Sequence, residues 1–66
     1  MIEDKIDQAT SYEELKKLQL DVINVSKLQI KEDPNCLDSR GRTPVQRQYI
    51  VKRFELTTGI KIEEQK

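Results

Sequence analysis

All four arginines of this chain lie within fourteen residues, 40–53, and no Asp or Glu interrupts that stretch. Guanidinium groups hold phosphate oxygens through paired hydrogen bonds, and a clustered basic surface is typical of a protein with an anionic partner. This chemistry is binding and not bond making. The residues of this basic segment that we predict to contact an anion are Arg40, Gly41, Arg42, Arg47, Lys52 and Arg53.

The most specific candidate site is 39–43, at the start of the basic segment and directly before a predicted helix. The free N–H groups at a helix N-terminus attract anions. Gly41 lies in the middle and would let a ligand approach the backbone closely. If the anion is a nucleic acid, Tyr49 on the same helix offers a ring on which a base could stack.

The same arginines could instead pair with carboxylates of the protein itself. The formal net charge is zero, with five lysines against eight carboxylates in 1–33 and seven basic residues against four carboxylates in 34–66. Glu32, Asp33 and Asp38 are near in sequence, and the acidic first half, or that of a second subunit, is a further source of partners. We favour this interpretation, because charge runs usually form solvated faces.

Several other chemistries are excluded by residue type. The chain has no histidine and one cysteine, so it has neither an internal disulfide nor a zinc site of the Cys/His type. Its two glycines cannot form a glycine-rich phosphate loop, and no base is available to activate Cys36. The pairs Glu13-Glu14 and Glu63-Glu64 are expected to be solvated. We therefore predict no enzyme activity, no metal and no cofactor.

The first half of the chain is predicted to be helical. Ile2, Ile6 and Ala9 recur at helical spacing, and either Thr10 or Ser11 can cap a second helix with a glutamate three residues later. The apolar residues that follow a 3-4-3 spacing from there are Leu15, Leu18, Val22 and Val25. Such a stripe indicates a long helix that packs by one face.

The second half contains a loop and one further helix. Pro34 ends the long helix near Asp33, because a residue before proline disfavours helical dihedral angles. Thr43 and Pro44 are an N-cap and a first-turn proline, and Gly59 is a C-terminal glycine cap. We therefore expect a single all-α domain over 1–66 that is an antiparallel two-helix hairpin, able to dimerise. Its elements are a short N-terminal helix at about 2–9, helices at about 11–31 and 44–58, a loop at 32–43 and a frayed tail at 63–66.

The last helix has apolar residues on more than one side. Ile50 and Phe54 lie about 100–180° around the helix from the side that carries Val45 and Leu56. One antiparallel neighbour cannot cover so wide a surface, so either the N-terminal helix or another molecule packs on the second face. The residues that we predict to bind a partner are Tyr49, Ile50, Val51 and Phe54.

These features favour a non-enzymatic helical interaction protein, an adaptor or inhibitor that docks on a larger protein or on itself within nucleic-acid metabolism. The alternative is a small accessory protein that binds nucleic acid through the basic segment. The two hypotheses merge if the partner is a nucleic-acid enzyme. A capped helical opening followed by a basic second half is found in many small phage and bacterial accessory proteins.

The sequence also indicates where the protein acts. Its longest apolar runs span two or three residues, so no membrane-spanning helix and no membrane partner are expected. The start, Met1-Ile2-Glu3-Asp4, is acidic and has no apolar region of the kind that a secretory signal needs. A lone cysteine fits a reducing interior. We expect a cytoplasmic protein.

Overall fold

Residues 1–61 are described by a computed structural model, in which four helices account for 69% of the residues and no strand occurs. The helices are α1 (Ile2–Gln8), α2 (Tyr12–Lys17), α3 (Gln19–Glu32) and α4 (Pro44–Thr58). The predicted all-helical class is confirmed. The predicted tail at 63–66 lies outside the described residues, and so do Glu63 and Glu64.

The predicted long helix at 11–31 is in fact two helices that meet at Leu18. The Leu18 N–H donates to the Leu15 carbonyl over 3.0 Å, and the Leu18 carbonyl accepts from the Val22 N–H at 2.9 Å. The bond to Leu15 tightens the last turn of α2 in the manner of a 3₁₀ turn. Upstream, Ser11 is the N-cap of α2, since its hydroxyl accepts from the Glu14 N–H at 3.2 Å.

The core is small and α4 lies at its centre, in contact with each of the other three helices. The buried apolar residues are Ile6, Ala9, Leu15, Val22 and Val45. Half-buried side chains that pack against them are Ile2, Leu18, Val25, Tyr49 and Leu56. A core of this size is marginal for a short chain, so each contact that positions α4 matters to its stability. Within the described part of the chain, none of the helices is both long and apolar enough to cross a bilayer.

Candidate functional site

The first turn of α4 is fixed by a buried threonine. Thr43 is fully buried, and its hydroxyl accepts from the Gln46 N–H at 3.3 Å while the Gln46 side chain accepts from the Thr43 N–H at 2.9 Å. The Thr43 hydroxyl also donates to the Ser26 hydroxyl of α3 at 3.0 Å, and Ser26 is buried as well. This reciprocal cap both starts α4 and attaches it to α3.

The remaining N–H groups at the start of α4 are bonded within the protein too. The Val45 N–H donates to the side-chain oxygen of Gln29 at 3.3 Å, and the Arg47 N–H donates to the Thr43 carbonyl at 3.0 Å. Pro44 has no N–H to offer. The backbone donors that we expected to attract an anion are therefore already occupied. An anion bound beside this turn would have to rely on guanidinium groups.

The loop before α4 is closed around one of its own carboxylates. One oxygen of Asp38 accepts from the backbone N–H groups of Arg40 and Arg42, each at 2.9 Å. The Gly41 N–H donates to the Asp38 carbonyl at 3.0 Å, and Gly41 has a φ of 76°, which only glycine adopts readily. The turn thus supplies internally the negative charge that its N–H groups would otherwise seek.

The electrostatics of Asp38 follow from these contacts. The pKa of Asp38 lies below its ordinary value, chiefly because its carboxylate accepts a hydrogen bond from the Arg42 N–H. The hydrogen bond from the Arg40 N–H and the nearby charge of Arg47 lower the pKa further, whereas desolvation raises it. The Arg47 guanidinium forms an ion pair with Asp38 at 3.8 Å. Of the carboxylates expected to pair with the arginines, Asp38 alone does so by an ion pair within residues 1–61.

The basic side chains do not converge on one site. Lys52 faces α1, where its ammonium group donates to the Asp7 carbonyl at 3.0 Å. The Arg53 guanidinium lies over the ring of Tyr12, 5.8 Å from the ring centre. Among the residues that the structure describes, the side chains of Arg40 and Arg42 have neither a hydrogen bond nor an ion pair.

Two of the four predicted partner-binding residues, Tyr49 and Val51, are half-buried within the protein. Tyr49 is half-buried and packs on the core. Val51 lines a groove of about 610 Å³, which Asp7 of α1 also borders. The α1 side of α4 is further held by Gln48, whose amide donates to the Glu3 carbonyl at 2.9 Å and to the Asp7 carboxylate at 3.1 Å.

The other two predicted residues, Ile50 and Phe54, lie on the outer face of α4. They follow Gln48 and Lys52 by two positions each, which places them about 200° around the helix from the side that α1 covers. Ile50 is 38% exposed and Phe54 is 41% exposed. The N-terminal helix therefore covers a different side of α4, and this apolar pair keeps a surface in contact with solvent.

Polar residues of α3 and of the entry loop before α4 organise this region, and the sequence pattern shows those of α3 only as interruptions of an apolar stripe. Ser26 and Gln29 interrupt the apolar stripe of α3, and both turn out to bond the start of α4. Asp38 pairs with the side chain of Arg47, as one of the predicted pairings requires, but its shorter contacts are to backbone N–H groups. Polar residues on a face that otherwise packs are the signal that could have located these bonds.

Comparison of the chain with protein-family models, curated proteins and solved structures finds no match. Across residues 1–61 there is also no cluster of three or more Cys, Asp or Glu side chains placed to hold a metal ion.

Proposed function

We propose that this is a non-enzymatic interaction protein, an adaptor or inhibitor, that docks on a larger protein through the outer face of α4. One observation carries the proposal. Ile50 and Phe54 remain 38% and 41% exposed on a helix that already contacts all three other helices. Completing the burial of both side chains on a partner would contribute about 1–2 kcal/mol to docking.

The proposal keeps three features predicted from the sequence. The antiparallel hairpin is the layout proposed for α3 and α4, and the bond from Thr43 at the start of α4 to Ser26 in the second half of α3 supports it. Self-association is kept as the alternative to a larger partner, because short domains without disulfides often gain stability by association. We place the protein in the cytoplasm, where the free thiol of Cys36 would stay reduced.

The test begins with tagged full-length chain, used to capture proteins that are identified and then purified for direct titration. The variant Phe54→Asp places a charge in the proposed docking surface and is expected to weaken binding at least about tenfold. Leu28→Asp is the matched control, because Leu28 is an exposed leucine of α3, 57% accessible, outside the outer face of α4. Sedimentation of each variant measures self-association in parallel.

The outcome of that comparison is decisive for the outer face of α4. Loss of binding, or of a dimer, in Phe54→Asp with retention in Leu28→Asp supports the proposal. Binding that survives both Phe54→Asp and Ile50→Asp, or that only Leu28→Asp removes, places the docking surface elsewhere and overturns it. Circular dichroism of each variant separates lost docking from lost folding.

A second candidate function is nucleic-acid binding through the basic segment. The observation that favours it is that the side chains of Arg40 and Arg42 form neither a hydrogen bond nor an ion pair within 1–61, although their loop is held in place by Asp38. Labelled single- and double-stranded oligonucleotides titrated across a salt series test it. Arg40→Gln with Arg42→Gln should weaken binding and flatten its salt dependence, because fewer counterions are released. Absence of binding at low salt rejects this candidate.

A further inference from the structure

The charges around the outer face of α4 indicate what kind of partner it accepts. Arg47 precedes Ile50 by three residues and Arg53 follows it by three, so each arginine is a neighbour of the apolar pair on the helix surface. From Ser39 to Phe54 the chain contains no carboxylate. The two charged residues that flank Ile50 on α4 are therefore both cations, and Arg47 also forms an ion pair with Asp38.

Both bordering arginines keep charge available for a partner. Arg47 is 48% exposed at its side chain, and its ion pair with Asp38 is long, at 3.8 Å. Arg53 lies over the ring of Tyr12 at 5.8 Å from the ring centre, and Tyr12 is itself 37% exposed. A cation held over an aromatic face keeps its hydrogen-bond donors free at the edge of the guanidinium plane.

We infer that the outer face of α4 binds an acidic amphipathic helix of a partner protein, whose apolar residues cover Ile50 and Phe54 while its carboxylates meet Arg47 and Arg53. The inference rests on the proposed docking function and adds the chemistry of the partner. Nucleic acid fits the same arginines less well, because its phosphates would leave the apolar pair between them uncovered. A basic helix would be repelled by Arg47 and Arg53, and a neutral helix would offer neither of them a carboxylate.

The experiment uses the full 66-residue chain and three synthetic labelled helical peptides, with binding followed by fluorescence anisotropy. The first peptide carries leucines on one face and glutamates beside them. The second replaces every glutamate by lysine, and the third replaces every leucine by serine. We expect the first to bind at least about tenfold more tightly than either of the others, since opposite charges and apolar contact are both required.

Two double variants test whether the arginines cause the preference for the glutamate peptide. Arg47→Gln combined with Arg53→Gln should reduce the preference for the glutamate peptide over the lysine peptide to less than about threefold. Lys16→Gln combined with Lys17→Gln removes the same charge from exposed positions of α2 and should leave the preference unchanged. Circular dichroism confirms that both double variants are folded.

The contrary outcomes distinguish this inference from the proposed function. If the glutamate and lysine peptides bind equally and Phe54→Asp abolishes both, the docking surface stands and the acidic partner is wrong. If no leucine peptide binds, or if the preference survives loss of both arginines, the inference is overturned. If a labelled oligothymidylate binds instead and is unaffected by Phe54→Asp, the basic segment serves nucleic acid and the inference also fails.

Discussion

At its first turn α4 has every backbone donor bonded within the protein, whereas on its outer face the same helix leaves Ile50 and Phe54 38% and 41% exposed. The first region is polar and closed, and the second is apolar and open. The contrast shows that the contacts which hold α4 in place and the surface proposed for a partner use different residues. Changes in one region should therefore affect stability, and changes in the other should affect binding.

Among changes in these two regions of α4, the largest expected loss of stability comes from Thr43→Val in the closed region. This change keeps the side-chain shape but removes the cap of α4 and leaves the buried Ser26 hydroxyl without its partner. We expect the free energy of unfolding to fall by about 2–3 kcal/mol, as judged from a lost N-cap and an unsatisfied buried group. Urea denaturation followed by far-ultraviolet circular dichroism measures it.

A double-mutant cycle sharpens this prediction. Ser26→Ala removes the hydroxyl that Thr43→Val would leave unsatisfied, so the double variant should cost less than the two single changes added together. Additive losses would show that the two hydroxyls do not act as a pair. A loss below about 0.5 kcal/mol in Thr43→Val would show that the closed region does not hold α4 in place.

The start and end of α4 could be predicted from the sequence because local chemistry determines them. Thr43 and Pro44 occupy the N-cap and first helical positions, and Gly59 ends the helix with a left-handed φ of 75°. Each of these assignments depends on the conformational preferences of a single residue, which a sequence displays directly. The class of fold follows from such signals together with apolar spacing.

The break at Leu18 and the separation of the basic side chains could not be predicted in this way. Apolar spacing continues through Leu18 with no Gly or Pro to mark a boundary. The basic residues cluster in the sequence but their side chains do not cluster in space, since Lys52 faces α1 and Arg53 lies over Tyr12. Both outcomes depend on which helices pack together, which is a tertiary property.

A smaller effect is expected from the charge of Asp38. The pKa of Asp38 is lowered in the folded state, chiefly by the hydrogen bond from the Arg42 N–H. The charged carboxylate therefore stabilises the fold at a pH above the ordinary pKa of about 4, and this stabilisation is lost as the pH falls through the pKa of the folded state. Asp38→Asn keeps an acceptor for the two N–H groups but removes the charge. The stability difference between wild type and Asp38→Asn should therefore shrink as the pH falls below about 4.

Urea denaturation over a pH series tests whether this stability difference shrinks as the pH falls. Arg47→Gln is a useful companion, because it removes the 3.8 Å ion pair and leaves both backbone bonds to Asp38 intact. It should reproduce a minor part of the pH-dependent difference. A difference that is independent of pH would show that the charge of Asp38 does not stabilise the entry loop.

The smallest expected change in stability comes from the open region, where Phe54→Gln removes exposed apolar surface and retains good helix propensity. Since Phe54 is 41% exposed, we expect a loss below about 1 kcal/mol. Leu15→Ala is the reference, because Leu15 is fully buried and such truncations cost about 2–5 kcal/mol. The same denaturation assay compares them, and binding by Phe54→Gln should be lost although its fold is kept. If Phe54→Gln instead destabilises the protein as much as Leu15→Ala does, Phe54 belongs to the fold and the outer face of α4 is not a docking surface.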